Sequence, residues 1–494
     1  MMLLSQAAQV LNGRLIGADV RFAAVSSDSR KIKAGDLFIA LRGEHFDGAE
    51  FAAAALQSGA AAVMLNADSA TSKIPIPNSQ ILLVKDTRLA LGQLAAYWRK
   101  QFDIPLVAIT GSNGKTTVKE MLAAILRAAA GSEKGVLATQ GNLNNDIGMP
   151  LTLLQLNAQH RYAVIEMGMN HPGEIDYLTH IACPDVALIT NASGAHLAGL
   201  GSVEAVAHAK GEIFAGLAYK GTAVLNADDA HAPLWRMLAG TRSLLEFALD
   251  QPGDICGQWQ PQGAGLRLDV QTPQGAFTVE LQVPGAHNAR NALAAIAAAV
   301  ALNLPLEIIA AGLQRFGGVP GRLQRKTARQ GAVLIDDTYN ANPASMCAAI
   351  GVLAQSAVEK PDGKRVLVMG DMGELGDDAA VLHAEIGSEA RRAGIEKLYA
   401  LGELSRNAVR EFGSGGQHFE SVEDLCGALE KELGANTTML VKGSRFMRME
   451  RVVSYCVDTE KGEVGREKGG AGAGSSPSLF SLPSSHNERG TKCY

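Results

Sequence analysis

"AITGSNGKTTVKE", residues 108–120, is the stretch on which the fold turns. It follows "IPLVAIT", a β-branched apolar run of strand type, and leads into "KTTVKEMLAAILRAAA", whose apolar residues recur at helical spacing. A glycine-containing turn between strand and helix aims backbone N–H groups at an anion, and the helix N-terminus adds partial positive charge. Gly111, Ser112, Asn113 and Gly114 make that turn. Lys115 is then placed to reach the β- and γ-phosphates of a nucleotide, and the hydroxyl of Thr116 or Thr117 to ligate Mg²⁺. The stretch departs from the full Gly-x-x-x-x-Gly-Lys-Ser/Thr pattern, because Ile109 stands where the first glycine belongs. A variant phosphate loop is expected, with the use of the phosphate energy left open by the loop itself.

The chain around it is long enough for about two to four domains. Its residues are 47% hydrophobic and 19% charged, and the net charge of −5 gives no reason to expect a nucleic-acid or membrane-surface partner. The apolar stretches "FAAAALQSGAAAVML" and "NALAAIAAAVALNL" are too short for a membrane span. "MMLLSQAAQVLNGRL" has no basic start before its apolar residues, so no signal peptide is expected. The cysteines, at 183, 256, 347, 426, 456 and 493, show no close pairing, which fits free thiols in a reducing cytoplasm.

Outward from the loop, strands and helices alternate. "PLVAITG", "YAVIEMG", "VALITNAS" and "GTAVLNADD" read as strands separated by helical stretches, which predicts a parallel sheet covered on both faces over residues 103–315. "LRLDVQTPQGAFTVELQV" interrupts this block as a hairpin, and "HNARNALAAIAAAVAL" closes it as a helix. Residues 316–453 repeat the alternation with "AVLIDDTYN", "RVLVMGDMG", "KLYALGE" and "TMLVKGSR", a second, smaller doubly wound domain. Residues 1–102 mix short strand-like runs with an Ala-rich helix. Residues 454–494 are rich in Gly and Ser without periodicity, and no fold of their own is expected.

In open α/β sheets ligands sit beyond the carboxyl ends of the strands, and polar residues cluster there in both large blocks. Glu166 ends one strand; Asn191 and His196 follow another. Beside a phosphate loop, a carboxylate and an imidazole could hold Mg²⁺, although each alone reads as an ordinary solvated residue. Lys210, by helical spacing, reads as solvent-facing. Asn288 and Asn291, at i and i+3, share a helix face and could read an adenine edge, while helix capping explains Asn288 equally well. Arg322 follows a Gly-rich segment, and Asp336, Asp337, Tyr339, Asn340 and Asn342 crowd behind an apolar strand. An arginine outside the nucleotide domain suits a site completed by domain closure; a structural role for the polar loop is the alternative.

The ordered series "TGSNGKTTVKE", "NNDIGMPLTLL", "EMGMNHPGEI", "NASGAHLAGLGS", "AKGEIF", "NADD", "HNARNALAA", "GRLQ" and "DDTYNANPASM" resembles the Mur ligases of peptidoglycan synthesis, from the N-terminus to about Val453. The shortened phosphate loop is the usual form in that family. The resemblance implies an α/β fold of three domains: a small N-terminal α/β domain, a central P-loop doubly wound parallel sheet and a C-terminal Rossmann-like α/β domain. It implies that ATP and Mg²⁺ are used. The substrates implied are a UDP-N-acetylmuramoyl-tripeptide and D-alanyl-D-alanine, joined through an acyl phosphate.

By the same resemblance, residues 1–102, with Ser29, Arg30 and Asp47 in "SSDSRKIKAGDLFIALRGEHFDGAEF", hold the UDP-sugar. Gly111 to Thr117, Asn288, Asn291, Arg322 and Asp337 bind ATP, while Tyr339, Asn340 and Asn342 meet the substrate. Thr116, Glu166, His196 and Lys210 are the implied metal set, Lys210 as a carbamylated lysine; Lys115, His196, Lys210 and Arg322 act in catalysis. A monomer in the cytoplasm is expected. "DDTYNANPASM" favours the dipeptide-adding member over the one that adds the third amino acid. Three other readings remain to be separated: a folate polyglutamylating ligase, a P-loop kinase that stops at phosphorylation, and a nucleotide-gated binding module. The resemblance ends at "MERVVSYCVDTEKGE", where the closing helix meets an unrelated tail.

Overall fold

The computed structural model describes residues 1–43, 46–68, 80–194, 197–359 and 363–457. The strand expected before the phosphate loop, Leu106–Thr110, lies inside a nine-stranded sheet and is buried at every position. Its neighbours are Val186–Ile189 on one side and Tyr162–Glu166 on the other, both parallel to it. The chain thus leaves the first strand toward opposite edges, which opens a crevice at its carboxyl end. Thr222–Asn226, Ser243–Ala248 and Ile255–Gln262 continue the parallel order on one side, and Val136–Ala138 forms the opposite edge. The expected hairpin, Gly265–Thr272 with Gly275–Leu281, does not interrupt this sheet but extends it as two antiparallel strands.

Helix Lys115–Ala130 follows the loop, and its Val118, Met121, Leu122, Ile125 and Leu126 are buried against the sheet. Helix Ala286–Ala301 packs on the same face, its Ala-rich surface allowing close approach to the strands. The other face carries a core that runs without a break into the N-terminal module: Leu91, Leu94 and Ala95 of helix Thr87–Arg99 belong with Leu153, Ile181 and Ile189. The chain boundary expected near residue 102 is therefore not a break in packing. The module's own sheet runs Arg14–Ile16, Ile81–Val84, Ala62–Asn66, Leu37–Ile39 and Val25–Ser26, antiparallel only at the first pair.

A third sheet is ordered Gln324–Thr327, Val333–Asp337, Thr437–Lys442, Lys364–Gly370, Lys397–Leu401 and Gly416–Phe419, parallel apart from its first strand. Helices cover both of its faces over separate cores. No helix among the described residues is long and apolar enough to cross a membrane.

The closing helix runs Glu450–Val457, so Ser454 to Val457, expected to begin an unstructured tail, belong to the fold. Cys456 is fully buried beside Val452 and Val453, and the Arg329 guanidinium sits 4.6 Å from the centre of the Tyr455 ring. One helical turn is too short to show a period in the sequence. Residues 458–494, the rest of that expected tail, lie outside the described residues. A chain ending at Val453 should melt roughly 5 °C below one ending at Val457, since it forfeits a buried side chain worth about 2 kcal/mol. Equal melting temperatures of the two truncations, by calorimetry, would show that the last turn adds nothing.

Candidate active site

At the carboxyl end of Leu106–Thr110 the chain turns through Gly111 (φ 150°) and Gly114 (φ 82°) before entering the helix at Lys115. Both glycines are required by space as well as by dihedral angle. A Cβ on Gly111 would lie 1.8 Å from Thr190 Oγ1, and one on Gly114 2.4 Å from Asn291 Oδ1. The loop is held from the neighbouring strand end: Asn113 N–H donates to Asn191 Oδ1 (2.9 Å), Thr190 Oγ1 donates to Asn113 O (2.7 Å), and Ser193 N–H donates to Ser112 Oγ (2.9 Å). Lys115 Nζ donates to the loop's own carbonyls, Gly111 O at 2.5 Å and Ser112 O at 3.2 Å. Burial lowers its pKa, with Glu166 opposing and Arg322 reinforcing the shift.

Glu166, 2% exposed, ends the adjacent strand. Its Oε2 accepts from Thr116 Oγ1 and its Oε1 from Asn144 Nδ2, each at 2.8 Å. Its own N–H donates to Thr139 Oγ1 (2.9 Å), whose carbonyl takes Nζ of the buried Lys119 (2.5 Å). Of Thr116 and Thr117, then, it is Thr116 whose hydroxyl faces the carboxylate, and each carboxylate oxygen keeps a second lone pair. Oxygen donors of this kind suit a hard divalent cation.

Lys210 corrects the expectation of a solvent-facing side chain. It lies in helix Val203–Gly211 and is 1% exposed. Its pKa is held well below the ordinary lysine value, first by burial and then by the Lys115 ammonium. Helical spacing could not reveal this, because the covering groups come from other elements. His196, expected beside it, lies outside the described residues. Among the described residues no three His, Cys, Asp or Glu side chains gather as a metal cluster. Of the implied metal set, Thr116, Glu166 and Lys210 lie among the described residues.

The third sheet reaches into the same place. Around Arg322 the backbone takes left-handed conformations at Gly321 (φ 70°) and Leu323 (φ 51°). Arg322 Nη2 donates to Thr116 Oγ1 (2.9 Å), its guanidinium lies 4.2 Å from the Tyr339 ring centre, and its buried Nε has no partner. Asn342 Nδ2 donates to Asn113 Oδ1 (2.9 Å). Asp337 is paired with Lys442 (2.7 Å) and accepts from Leu323 N–H (3.2 Å); burial nonetheless raises its pKa. Lys442 also donates to Asn340 O (2.8 Å). Asn288 does not cap its helix, which starts after Gly285; its Nδ2 donates to Pro284 O (2.8 Å) and its Oδ1 accepts from Asn291 Nδ2 (3.3 Å).

These groups surround a cavity of about 1000 Å³. Ser112, Asn113, Gly114, Lys115, Thr117, Glu166, Asn288, Asn291, Arg322, Asp337, Tyr339, Asn340 and Asn342 all line it. Gly111, Thr116 and Lys210 do not line it. Ser29, Arg30 and Asp47 do not line it. Arg30 folds onto Asp28 (2.9 Å), and Asp47 caps a short helix through Ala49 N–H (3.0 Å) while pairing with Arg42. Arg88, Asp146, His287 and Lys442 also line the cavity, although the sequence does not single them out. The strand-end rule would have found Lys442; His287, with its Nε2 buried and unpartnered and its pKa pushed down to about 4 by burial and by Lys442 and Arg290, left no local signal.

Three family models match the chain in order: the Mur ligase family catalytic domain at residues 21–99, the Mur ligase middle domain at 109–299 and the Mur ligase glutamate ligase domain at 321–445. UDP-N-acetylmuramoyl-tripeptide--D-alanyl-D-alanine ligase of Escherichia coli (strain K12) is 43% identical over 454 residues, 91% of this chain and 97% of that protein. UDP-N-acetylmuramoylalanyl-D-glutamyl-2,6-diaminopimelate--D-alanyl-D-alanyl ligase from Acinetobacter baumannii superposes with a TM-score of 0.80 at 35% identity, covering 91% of this chain and 97% of that one. The MurF ligase of Thermotoga maritima in complex with ADP gives 0.76 at 28% identity, covering 87% and 96%.

Proposed function

The chain belongs to the Mur ligase family and has its three-domain architecture, and from that premise we propose that it joins D-alanyl-D-alanine to UDP-N-acetylmuramoyl-tripeptide at the expense of ATP. The γ-phosphoryl group passes to the terminal carboxylate of the tripeptide, giving an acyl phosphate and ADP. The amine of D-alanyl-D-alanine attacks the acyl carbon, loses a proton, and expels inorganic phosphate from the tetrahedral intermediate. In this reading residues 1–102 bind the UDP-sugar, with Ser29 and Arg30 on one short helical turn and Asp47 capping another; residues 103–315 bind ATP; residues 316–453 present the dipeptide.

One observation carries the reading. Arg322 and Asn342, from loops bordering the third sheet, donate to Thr116 and Asn113 of the phosphate loop, contacts that span 206 and 229 residues of sequence. A kinase needs no such module on its loop; a ligase does, because acceptor amine and acyl phosphate must meet. The work of the protein is then positioning and charge stabilisation. Lys115 and the unpartnered Nε of Arg322 are donors aimed at a transferring phosphoryl group. Asn291 packs on Gly114 and, with Asn288, offers an amide edge to the nucleotide base. Tyr339 holds the Arg322 guanidinium flat. Asp337, paired with Lys442, joins the nucleotide-binding set, and neutral His287 lines the same cavity.

Thr116, Glu166, His196 and Lys210, the last as a carbamate, would hold Mg²⁺, whose contribution is to neutralise charge on the phosphate oxygens. The oxygen donors and the buried, deprotonation-prone amine fit that role.

The test is phosphate release from ATP with UDP-N-acetylmuramoyl-tripeptide, with and without D-alanyl-D-alanine. Release that requires both substrates, together with a pentapeptide product by mass spectrometry, is expected. Transfer to one substrate without free phosphate would indicate a kinase, and turnover with a folate and glutamate the polyglutamylating alternative. Nucleotide binding with no turnover on any substrate would leave a binding module.

A further inference from the structure

One wall of the cavity carries charges that phosphoryl transfer does not use. Arg88, at the start of helix Thr87–Arg99, and Asp146, in the segment that follows Asn144, both line it. Arg88 Nε donates to Asp146 Oδ2. The Arg88 side chain is 56% exposed and that of Asp146 25%. Among the described residues neither the two terminal amino groups of Arg88 nor Asp146 Oδ1 has a hydrogen-bond partner. An ion pair this open contributes little to folding. The third charged group on that wall, Glu174, is engaged: its carboxylate accepts from Asn170 N–H (2.6 Å) and His171 N–H (3.2 Å) and faces the His171 ring.

The pair also stands at a defined remove from the reacting end. Asn144 Nδ2 holds Glu166 (2.8 Å), and Asp146 is two residues further on, so its Cα lies within about 7 Å of that of Asn144. A 2,6-diaminopimelate has an amino-acid head at each end. When the carboxylate of one head is activated beside Lys115, the other head, with its ammonium and carboxylate, is carried a pimelate chain away. Lysine in the same place ends in an ammonium alone.

We propose that Arg88 and Asp146 form the subsite that reads this distal head, Arg88 taking its carboxylate through the free guanidinium edge and Asp146 its ammonium, so that the enzyme selects a tripeptide ending in diaminopimelate over one ending in lysine. The inference rests on the ligase reading above. A planar guanidinium presents parallel donors to a carboxylate, and a polar pair left unanswered by the wrong substrate is what rejects it.

The experiment measures kcat/KM for three UDP-N-acetylmuramoyl-tripeptides, ending in diaminopimelate, lysine or 2-aminopimelate, the last lacking only the distal amine. Wild type is expected to prefer diaminopimelate over both. Arg88→Ala should lower the diaminopimelate-to-lysine ratio about tenfold or more, and Asp146→Asn the diaminopimelate-to-aminopimelate ratio by a similar factor. If both variants slow all three substrates equally, the pair only seats the helix on the loop and the proposal is overturned. A wild type that treats the three alike overturns it too. Ligation of none of them by wild type counts instead against the ligase reading, so the two failures are distinguishable.

Discussion

Lys115→Ala is expected to lower turnover by roughly a hundred- to a thousand-fold, with ATP saturating, while the protein stays folded. Without phosphate, the ammonium is held by the carbonyls of Gly111 and Ser112, at 2.5 and 3.2 Å. Those contacts fold it back onto the loop, at the lining of the cavity. A transferring phosphoryl group is the stronger partner, being anionic, and the lost interaction grows as charge develops in the transition state. The loop itself does not depend on Lys115, since Asn191, Thr190 and Ser193 hold it from the next strand. Phosphate release under saturating substrates measures the effect, and circular dichroism checks the fold. Near-normal turnover in a folded variant would sink the assignment of the phosphate loop.

The second large effect concerns Lys210. Lys210→Ala should be nearly inactive, again by about a hundredfold or more, and should recover part of its rate when acetate is added. A buried ammonium next to Lys115 is unfavourable, and burial and that neighbour together push Lys210 toward its neutral amine. In the reading proposed above, the neutral amine adds CO₂ and loses a proton to give a carbamate, which would invert the charge and add an oxygen donor to those of Glu166 and Thr116. Wild-type protein given isotopically labelled bicarbonate should show a carbamate resonance that Lys210→Ala lacks. Absence of that resonance, or full activity of the alanine variant without rescue, would reduce Lys210 to a helix residue that happens to be covered.

The chemistry of the loop was legible in the sequence because it is local. A strand, two glycines, Lys115, paired threonines and a helix lie within a few residues of one another, and each signal depends on near neighbours. The strand-end position of Glu166 and the crowding of Asp337, Tyr339, Asn340 and Asn342 behind one strand were readable for the same reason, the alternation of short apolar runs. The hairpin Gly265–Leu281 was recognised as a pair, but that it extends the central sheet was not, since sheet order depends on distant pairing. The closing helix was cut at Val453, one turn early, because its last turn is specified by burial of Cys456 rather than by periodicity.

By itself, then, the sequence determined the architecture of alternating strands and helices, the phosphate loop and the strand ends that face it. Only the tertiary structure decided which groups converge there. Lys210 is buried instead of solvated, Arg322 and Asn342 touch a loop more than 200 residues away, Ser29, Arg30 and Asp47 stand off the cavity, and Arg88 enters it from the N-terminal module. The reason is physical. Backbone propensity and helical or strand period act between residues a few positions apart, whereas burial, ion pairing and the shape of a cavity are set by contacts across elements, which no local spacing encodes.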